Sequence, residues 1–365
     1  MKITEINFFI GGGGASRLLV DLCNHFVSIG NSVDALITND ERKYEESSYI
    51  SFKDDLNNKV RCVELNARSG ISLKSLWGVF MYVNKNRPDI LHCHCSILLL
   101  LLPALFFKKT KYIHTIHTLV TRTYPGGWIK KIAYWLYKTN KVIPVTISEE
   151  CHKSYYECFG SNEDVLIING RDALKTTAKL SFVRKELEDK GIVFDGESPI
   201  FIHVSRHHPV KNHERMLRTF ERIGSEGISY HLIIIGDNYE CYEDKYCNHK
   251  NIHIIGPRTN IGDYMSLSDF YVISSDKEGL PLSLLEAMSM GVIPVCTPAG
   301  GIKDVIRNGE NGYMGCEVSD DEFYLSVKKA ISEKNIIQRE SLVQEYRSKY
   351  SMEICAQNYW ELYNS

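Results

Sequence analysis

Two glutamates, Glu278 and Glu286, stand eight residues apart in the segment SDKEGLPLSLLEAM. A strand-like stretch, residues 270–274, comes just before Glu278. Pro281 suits the first turn of a helix that would contain Glu286. A carboxylate inside an apolar helix is costly without a partner, so we expect Glu286 to be buried against a ligand that carries hydroxyl groups. Backbone N–H groups between the two glutamates can bind phosphate or further hydroxyls.

A pair of cations lies upstream, in the segment SRHHPVKN. Arg206 and Lys211 follow a predicted strand, residues 200–205, and precede a predicted helix from about Asn212. Two cations beside a helix N-terminus, at the carboxyl edge of a parallel sheet, suit a diphosphate. The alternative is a pair of solvated surface cations.

Four consecutive glycines, residues 11–14, separate a predicted strand, Ile3–Ile10, from a predicted helix, Ala15–Ile29. Such a loop lets the backbone turn sharply and approach an anion at the helix start. It departs from the dinucleotide-binding pattern, because Ser16 stands where a glycine is needed. An NAD(P) oxidoreductase is therefore possible but not favoured, and a purely structural turn is the alternative.

The elements that would position these residues alternate between short apolar runs and amphipathic stretches. The chain has 365 residues, is 44% hydrophobic, and carries a formal net charge of −2. Residues 1–185 carry 25 Lys and Arg against 17 Asp and Glu, a balance of +8, and residues 186–365 carry 18 against 28, a balance of −10. A polar stretch near residues 171–198 separates two series of strands. We therefore predict two doubly wound α/β domains in tandem.

Eleven cysteines occur without a CxxC pair, and Met1 leads directly into the first predicted strand, so we expect reduced thiols in a cytoplasmic protein. One cluster, His92-Cys93-His94-Cys95, has the residue types of a zinc site. Successive residues of a strand face opposite sides of the sheet, so these four cannot close around one zinc ion. We expect neither a metal nor a cofactor.

A basic segment without any acidic residue runs from residue 90 to residue 148. Its eleven-residue apolar run, Ile97–Phe107, is shorter than the roughly 20 residues of a spanning helix. Cations interleaved with aromatic residues favour contact with an anionic membrane, and the alternative is a solvated face. Nucleic acid is not expected, since no nucleic-acid module accompanies the segment. The patch residues that we name are Lys108, Lys109, Trp128, Lys130, Lys131 and Trp135.

The motifs together resemble the retaining GT-B glycosyltransferases of family 4. The resemblance rests on EGLPLSLLEAMSMGVIPVCTPAGG with SRHHPVKN upstream, and on PDILHCH, IHTIHT, INGRD, GPRTNIGDYMSLSDFYVISS and IRNGENGYM. It implies two Rossmann-like doubly wound α/β domains that face a central cleft. Residues 1–172, completed by a helix at about 351–365, would bind the acceptor. Residues 173–350 would bind the nucleotide sugar.

The resemblance also implies a role for each matching residue. Arg206 and Lys211 would neutralise the leaving diphosphate, and Glu286 would bind the ribose hydroxyls. Glu278 and His117 would face the transferred sugar. The remaining donor-binding residues would be Gly279, Leu280, Pro281, Gly236, Arg258 and Thr259. The acceptor or phosphate loop would comprise Gly12, Gly13, Gly14 and Arg17. Ser16 and Arg171 depart from the family pattern.

The implied activity is metal-independent, retaining transfer of a hexose or N-acetylhexosamine from a nucleotide sugar, with UDP favoured. The acceptor would be a glycan or a polyprenyl-diphosphate-linked molecule in bacterial surface polysaccharide synthesis, of the O-antigen or capsule type. The protein would lie in the cytoplasm, peripherally at the inner membrane. The alternatives are a GT-B-shaped sugar-nucleotide epimerase or hydrolase, and a non-catalytic scaffold of the same fold.

Overall fold

The chain forms two compact units in the computed structural model. It describes residues 1–11, 13–40, 51–67, 70–94, 98–194, 196–247 and 249–365. The first unit comprises Met1–Arg171 together with Tyr350–Ser365, and the second comprises Asp172–Lys349. Each unit is built on one parallel sheet with its own buried apolar core.

The first sheet has seven strands in the order β3-β2-β1-β4-β5-β6-β7, all parallel. Its chain order reverses between the neighbours β1 and β4, which is the switch point of a doubly wound sheet. The strands are β1 Lys2–Asn7, β2 Ser32–Asn39, β3 Arg61–Ala67, β4 Ile90–His94, β5 Lys111–Ile116, β6 Ile143–Thr146 and β7 Val165–Leu166.

Helices cover the first sheet, because each has an apolar stripe that must be buried. They are α1 Gly14–Ser28, α2 Leu73–Asn86, α3 Val120–Thr123, α4 Gly127–Lys138 and α5 Glu149–Phe159. The leucine-rich run that follows β4 forms two short 3₁₀ helices, Leu98–Leu101 and Ala104–Phe106, and the first of them is buried in the core. Among the described residues, no helix has both the length and the apolar character needed to cross a membrane.

The second sheet has six parallel strands in the order β10-β9-β8-β11-β12-β13, with its switch point between β8 and β11. The strands are β8 Ile200–Val204, β9 His231–Ile235, β10 Ile252–Ile254, β11 Phe270–Ile273, β12 Ile293–Cys296 and β13 Tyr313–Met314. The helices are α6 Leu180–Asp189, α7 His213–Ser225, α8 Glu240–Tyr246, α9 Ile261–Ser266, α10 Leu282–Ser289, α11 Ile302–Val305, α12 Asp320–Ser332 and α13 Arg339–Lys349.

The last helix, α14 Met352–Asn364, belongs to the first unit. The Tyr363 ring lies 5.2 Å from the ring of Phe26 on α1. The return of the chain is fixed by Arg171, which donates its backbone N–H to Tyr350 and accepts one from Met352. The Arg171 side chain also pairs with the buried Asp21, at 2.7 Å. Arg171, a departure from the family pattern, thus supplies a buried ion pair inside the first unit.

Candidate active site

The proposed donor residues of the second unit follow two neighbouring strands at the switch point of its sheet. Arg206 and Lys211 lie in the loop after β8, and Glu278 lies in the loop after β11. Carboxyl ends of parallel strands meet at one edge, and open α/β sheets bind their ligands at this edge of the switch point. The fold therefore brings cations and a carboxylate to the place where a ligand is expected.

Lys211 and Glu278 form an ion pair across the two loops, with 2.7 Å between Nζ and Oε1. Ser275 donates its hydroxyl to the same carboxylate oxygen. The side chains of Lys211 and Glu278 are only 22% and 10% exposed, so the pair lies in a partly desolvated position. The sequence placed these residues in separate motifs, and the structure joins them.

Arg206 is exposed and forms no side-chain hydrogen bond or ion pair with any residue that the structure describes. Its guanidinium is thus available to an anion at the carboxyl edge of the sheet. The two cations therefore differ in their contacts: Lys211 is paired with a carboxylate, whereas Arg206 is paired with none that the structure describes.

Glu286 lies in α10, as expected, but it is half-buried and not buried. The expectation of burial failed because α10 has a mixed face, on which Ser283 and Ser289 are also partly exposed. The buried Tyr271 lies beneath this segment, because its hydroxyl is hydrogen-bonded to Ser283 on α10 at 2.7 Å. Burial raises the pKa of this phenol, and the charges of Glu278 and Glu286 raise it further. The two carboxylates therefore share one region of the second unit.

The loops are joined by hydrogen bonds that the sequence did not indicate. The buried Arg215 donates to the Ser274 carbonyl and to Asp276, each at 2.8 Å. Asp276 in turn donates its backbone N–H to the Val210 carbonyl at 2.9 Å. The loop of Lys211 and the loop of Glu278 are thereby held in register.

A further loop, residues 297–301, packs against the backbone of Glu278. Gly300 has a φ of +55°, and a Cβ atom there would lie 1.8 Å from the Glu278 carbonyl oxygen. Gly301 donates its N–H to the Gly279 carbonyl at 2.7 Å. Gly300 therefore has a positioning function that sequence reasoning missed, although it is the first glycine of the AGG in the quoted motif.

Gly236 follows β9, where its backbone approaches the loop after β8. A Cβ atom at Gly236 would lie 1.8 Å from the Ser205 carbonyl oxygen, so only glycine fits. The expected donor residue Arg258 is ion-paired with Glu186 at 2.8 Å and donates to Tyr264, whereas Thr259 is exposed. Leu280 and Pro281 are buried at the start of α10.

A buried histidine cluster supports the loop after β8, and no motif in the sequence indicated it. Tyr239 bonds His213 Nε2 at 2.6 Å and the Ser205 carbonyl at 3.0 Å. His203 lies 3.1 Å from the same His213 nitrogen and bonds the Val272 carbonyl at 2.8 Å. The Nδ1 atom of His213 is buried without a hydrogen-bond partner among the described residues.

These histidines make the folded protein sensitive to acid. Burial lowers the pKa of His203 to about 4 and the pKa of His213 to about 2. In the unfolded chain both titrate near 6.5. Between pH 6.5 and 4 the unfolded chain therefore binds more protons, and stability falls as the pH falls.

We expect the urea midpoint of the second unit to decrease from pH 7 to pH 5. Each such histidine lowers the free energy of unfolding by about 1.4 kcal/mol per pH unit within this window. Urea titrations followed by circular dichroism at several pH values measure the effect. A midpoint that stays constant over this range would contradict the buried, neutral state of the cluster.

In the first unit, three groups line up: Glu5 within β1, His94 at the carboxyl end of β4, and His117 just after β5. His117 Nε2 lies 2.9 Å from Nδ1 of His94, and His94 Nε2 lies 2.8 Å from the Glu5 carboxylate. Glu5 and His94 are fully buried, whereas His117 is half-buried. The sequence indicated His117 alone. Its partner His94 is 23 residues away in the chain, and Glu5, which bonds His94, is 89 residues from His94.

Glu5, His92 and His94 stand close enough to hold a metal ion. His92 and His94 share one face of β4, while Cys93 belongs to the core on the other side, and Cys95 lies outside the described residues. The alternation therefore holds for His92, Cys93 and His94, but the argument overlooked Glu5 from the neighbouring strand.

The glycine-rich loop precedes α1, and Gly12 lies outside the described residues. Gly13 and Gly14 are exposed, with Gly13 as the N-cap of the helix. Arg17 is paired with Asp21 at 3.1 Å and with Asp55. Its charge is thus already offset by two carboxylates, which weakens the case for a phosphate contact at this residue.

The basic and aromatic residues are distributed along α4 and the turns at its ends. Trp128 and Trp135 are 63% and 48% exposed, and Lys131 and Lys138 are exposed on the same stripe. Lys130 is half-buried. Four lysines line a surface depression of about 480 Å³ at the amino ends of β5 and β6, namely Lys108, Lys109, Lys111 and Lys141.

Fold and site together define a class: a two-unit, doubly wound α/β protein with charged ligand-binding loops at the carboxyl edge of the sheet. Two family models match in tandem, Glycosyltransferase Family 4 over residues 12–170 and Glycosyl transferases group 1 over residues 184–349. The chain belongs to the family 4 glycosyltransferases and has the GT-B fold, as the sequence resemblance predicted.

The sequence identity to individual relatives is low. The chain is 32% identical to N-acetyl-alpha-D-glucosaminyl L-malate synthase of Bacillus anthracis over 167 residues, which cover 41% of this chain and 42% of that protein. It is 23% identical to UDP-Gal:alpha-D-GlcNAc-diphosphoundecaprenol alpha-1,3-galactosyltransferase of Escherichia coli, over 73% of this chain and 72% of that protein. The structure of Anabaena HepE in complex with UDP and glucose superposes with a TM-score of 0.77, at 16% identity, over 99% of both chains.

Proposed function

We propose that this protein is a retaining glycosyltransferase that moves a hexose or N-acetylhexosamine from a UDP-sugar to a glycan or lipid-linked acceptor in bacterial surface polysaccharide synthesis. The observation that carries the proposal is the juxtaposition of Lys211, Glu278 and the exposed Arg206 at the switch point of the second sheet. Relatives that bind UDP, or whose name includes a diphosphoundecaprenol acceptor, support the nucleotide and the acceptor class.

The chemistry follows from the charge that develops. Cleavage of the anomeric C–O bond gives an oxocarbenium-like sugar and an anionic diphosphate. Arg206 and Lys211 stabilise the negative charge of the departing diphosphate. For this, Lys211 exchanges its ion pair with Glu278 for one with the diphosphate. The Glu278 carboxylate is then free to bind hydroxyls of the sugar. Glu286 binds the ribose. The acceptor attacks from the face that the diphosphate leaves, and a phosphate oxygen takes its proton, so the configuration is retained.

A panel of nucleotide sugars in a thermal-shift assay tests the donor. A ligand at 100 times its Kd adds about 2.7 kcal/mol of stability, so a matching UDP-sugar should raise the unfolding midpoint by several degrees more than an ADP- or GDP-sugar. Equal, negligible shifts for all nucleotide sugars would contradict the proposal.

Incubation with donor alone separates transfer from the epimerase or hydrolase alternative. A transferase without acceptor should leave the sugar nucleotide largely intact in a time-resolved NMR experiment. Rapid appearance of free sugar or of an epimer would favour the alternative. A non-catalytic scaffold would not need the four charged residues of the donor site. The presence of all four, Arg206, Lys211, Glu278 and Glu286, therefore argues against this alternative.

We expect the reaction to be independent of divalent metal. Arg206 and Lys211 supply the positive charge that a metal ion provides at the leaving phosphate in other enzymes. Turnover measured in EDTA should therefore stay within about twofold of turnover in Mg²⁺. Loss of turnover in EDTA, with recovery in Mn²⁺, would overturn this expectation.

We further propose that the first unit contacts an anionic membrane surface through α4. Trp128, Lys131, Trp135 and Lys138 recur on one stripe of this helix. Tryptophan rings suit the headgroup region, and each lysine near the surface contributes about 1 kcal/mol. The four-lysine depression beside the end of α4 extends the same positive surface, and no carboxylate is among its lining residues.

Vesicle co-sedimentation tests this contact. Wild type should pellet with vesicles that contain phosphatidylglycerol and should be released as salt shortens the Debye length from about 10 Å to about 3 Å. The Lys131→Glu/Lys138→Glu variant should stay in the supernatant. The control, Lys185→Glu/Lys190→Glu, makes the same charge change at exposed residues of the second unit and should pellet like wild type. Equal pelleting of all three proteins would contradict the proposal and mean that α4 presents an ordinary solvated face.

A further inference from the structure

A chain of hydrogen bonds runs from the interior of the first unit to the half-exposed ring of His117. The Glu5 carboxylate contacts His94 Nε2 at 2.8 Å, and His94 Nδ1 contacts His117 Nε2 at 2.9 Å. The other ring nitrogen of His117, Nδ1, forms no hydrogen bond with any described residue. The chain therefore ends at an atom with unused bonding capacity.

Only one arrangement of protons satisfies this chain when both rings are neutral. Burial raises the pKa of Glu5, but the charge and hydrogen bonds of His92 and His94 outweigh it and hold the pKa at about 2, so Glu5 is ionised and can only accept. Burial lowers the pKa of His94 to about 4 and that of His117 well below 6.5. His94 then carries its proton on Nε2, its Nδ1 accepts from Nε2–H of His117, and Nδ1 of His117 is left with a lone pair.

A metal ion at Glu5, His92 and His94 is the rival interpretation. The remaining ligand atoms, however, already have partners of matching type. Tyr363 donates its hydroxyl to the second Glu5 oxygen at 3.0 Å. His92 is hydrogen-bonded through Nδ1 to the Tyr363 hydroxyl at 2.8 Å and through Nε2 to Thr115 at 2.7 Å, and its Nδ1 lies 2.9 Å from Glu5. A hydrogen-bonded cluster that is complete without an ion does not need one.

We propose that Glu5 and His94 are positioning residues that hold His117 in the Nε2–H tautomer, so that its Nδ1 accepts a hydrogen bond from a hydroxyl of the bound ligand. The identity of that ligand as the transferred sugar rests on the proposed function. The proton order itself rests only on the contacts within the first unit.

Because Nδ1 of His117 can only accept a hydrogen bond, it makes the site specific for a ligand that donates one. A ligand hydroxyl can donate to Nδ1, whereas a fluorine or hydrogen in its place cannot. A site built to bond a hydroxyl discriminates against an analogue that lacks it, because a buried polar atom is then left unpaired. His117 therefore selects for one particular hydroxyl of the sugar.

The tautomer is measured directly by NMR on protein labelled with ¹⁵N-histidine. Nitrogen with and without a proton resonates at widely separated shifts, and loss of a signal in His117→Gln assigns the ring. We expect a protonated Nε2 and an unprotonated Nδ1 at His117. A protonated Nδ1, or stoichiometric zinc in the purified protein by mass spectrometry, would overturn the inference.

Two substitutions of His94 then separate positioning from simple packing. His94→Asn places a carbonyl oxygen near the former Nδ1, where it still accepts from His117, whereas His94→Leu removes the acceptor. His117 should stay in the Nε2–H tautomer alone in His94→Asn, whereas in His94→Leu both tautomers should be populated, because no acceptor then holds the proton on Nε2. Circular dichroism establishes that each variant is folded before the comparison.

Binding supplies the functional readout. The probe is UDP-glucose or UDP-galactose, depending on which of them stabilises wild type more, and UDP alone is the reference ligand. His94→Leu should weaken the UDP-sugar about three- to tenfold, the effect of one hydrogen bond, and leave the affinity for UDP unchanged. His94→Asn should bind both like wild type. Equal weakening of UDP and UDP-sugar would indicate a purely structural role and contradict the proposal.

The deoxyfluoro analogues of the same UDP-sugar complete the test. One analogue should bind wild type more weakly than the parent, and the difference should vanish in His117→Leu. If wild type binds neither UDP nor UDP-sugars, the proposed function fails, while the NMR result for the tautomer still stands. If the sugar binds and every fluoro analogue binds equally well, the selectivity inference fails.

Discussion

Replacement of both Arg206 and Lys211 by alanine should lower turnover by at least about 10²–10³-fold and leave the protein folded. Removal of one group that stabilises developing charge typically has an effect of this size. Arg206 is exposed, and Lys211 lies in a short turn before α7, so neither contributes much to the core. Glu278 would also lose the cation that pairs with it at 2.7 Å.

The measurement is the initial rate of UDP release with donor and acceptor, next to each single variant. Arg184→Ala/Lys185→Ala is a matched control, because it removes the same two charges from exposed positions on α6. Turnover within twofold of wild type in the Arg206→Ala/Lys211→Ala protein would show that the diphosphate is not bound here.

Substitution of Gly300 by alanine should lower turnover by about 10²-fold although Gly300 carries no chemistry. An added Cβ would lie 1.8 Å from the Glu278 carbonyl oxygen, at a φ of +55° that alanine rarely adopts. The loop of Glu278 must therefore shift, and a displacement of about 1 Å at a catalytic group reduces rates by roughly this factor.

The control for this variant is Gly224→Ala in α7, where the new Cβ would lie at an ordinary contact distance of 3.5 Å from Tyr230. Both proteins are compared by turnover, by the affinity for UDP and by thermal midpoint. Normal turnover in Gly300→Ala, with normal KM, would mean that the position of Glu278 is not critical.

The order of strands and helices could be predicted well from the sequence. The helix after the glycine loop was expected at Ala15–Ile29 and runs from Gly14 to Ser28. The first strand was expected at Ile3–Ile10 and runs from Lys2 to Asn7. Apolar runs of five to eight residues, separated by amphipathic stretches, have few alternatives to a parallel α/β fold.

The burial of individual side chains was harder to predict. Glu286 occupies the expected helix, yet it is half-buried. Arg17 was assigned to a phosphate loop, but its guanidinium is paired with Asp21 and Asp55. Helical periodicity predicts which residues share a face, whereas exposure depends on which neighbours cover that face.

The sequence by itself determined the fold class, the family, and the residue types available at the ends of β8 and β11, since these follow from local periodicity and from motifs of consecutive residues. Only the tertiary structure decided that Lys211 pairs with Glu278, that Gly300 supports the same loop, and that Glu5 orders the protons on His94 and His117. Each of these contacts joins residues that are 22 to 89 positions apart in the chain. Their meeting depends on strand order and on the close approach of loops, which periodicity along the chain does not encode.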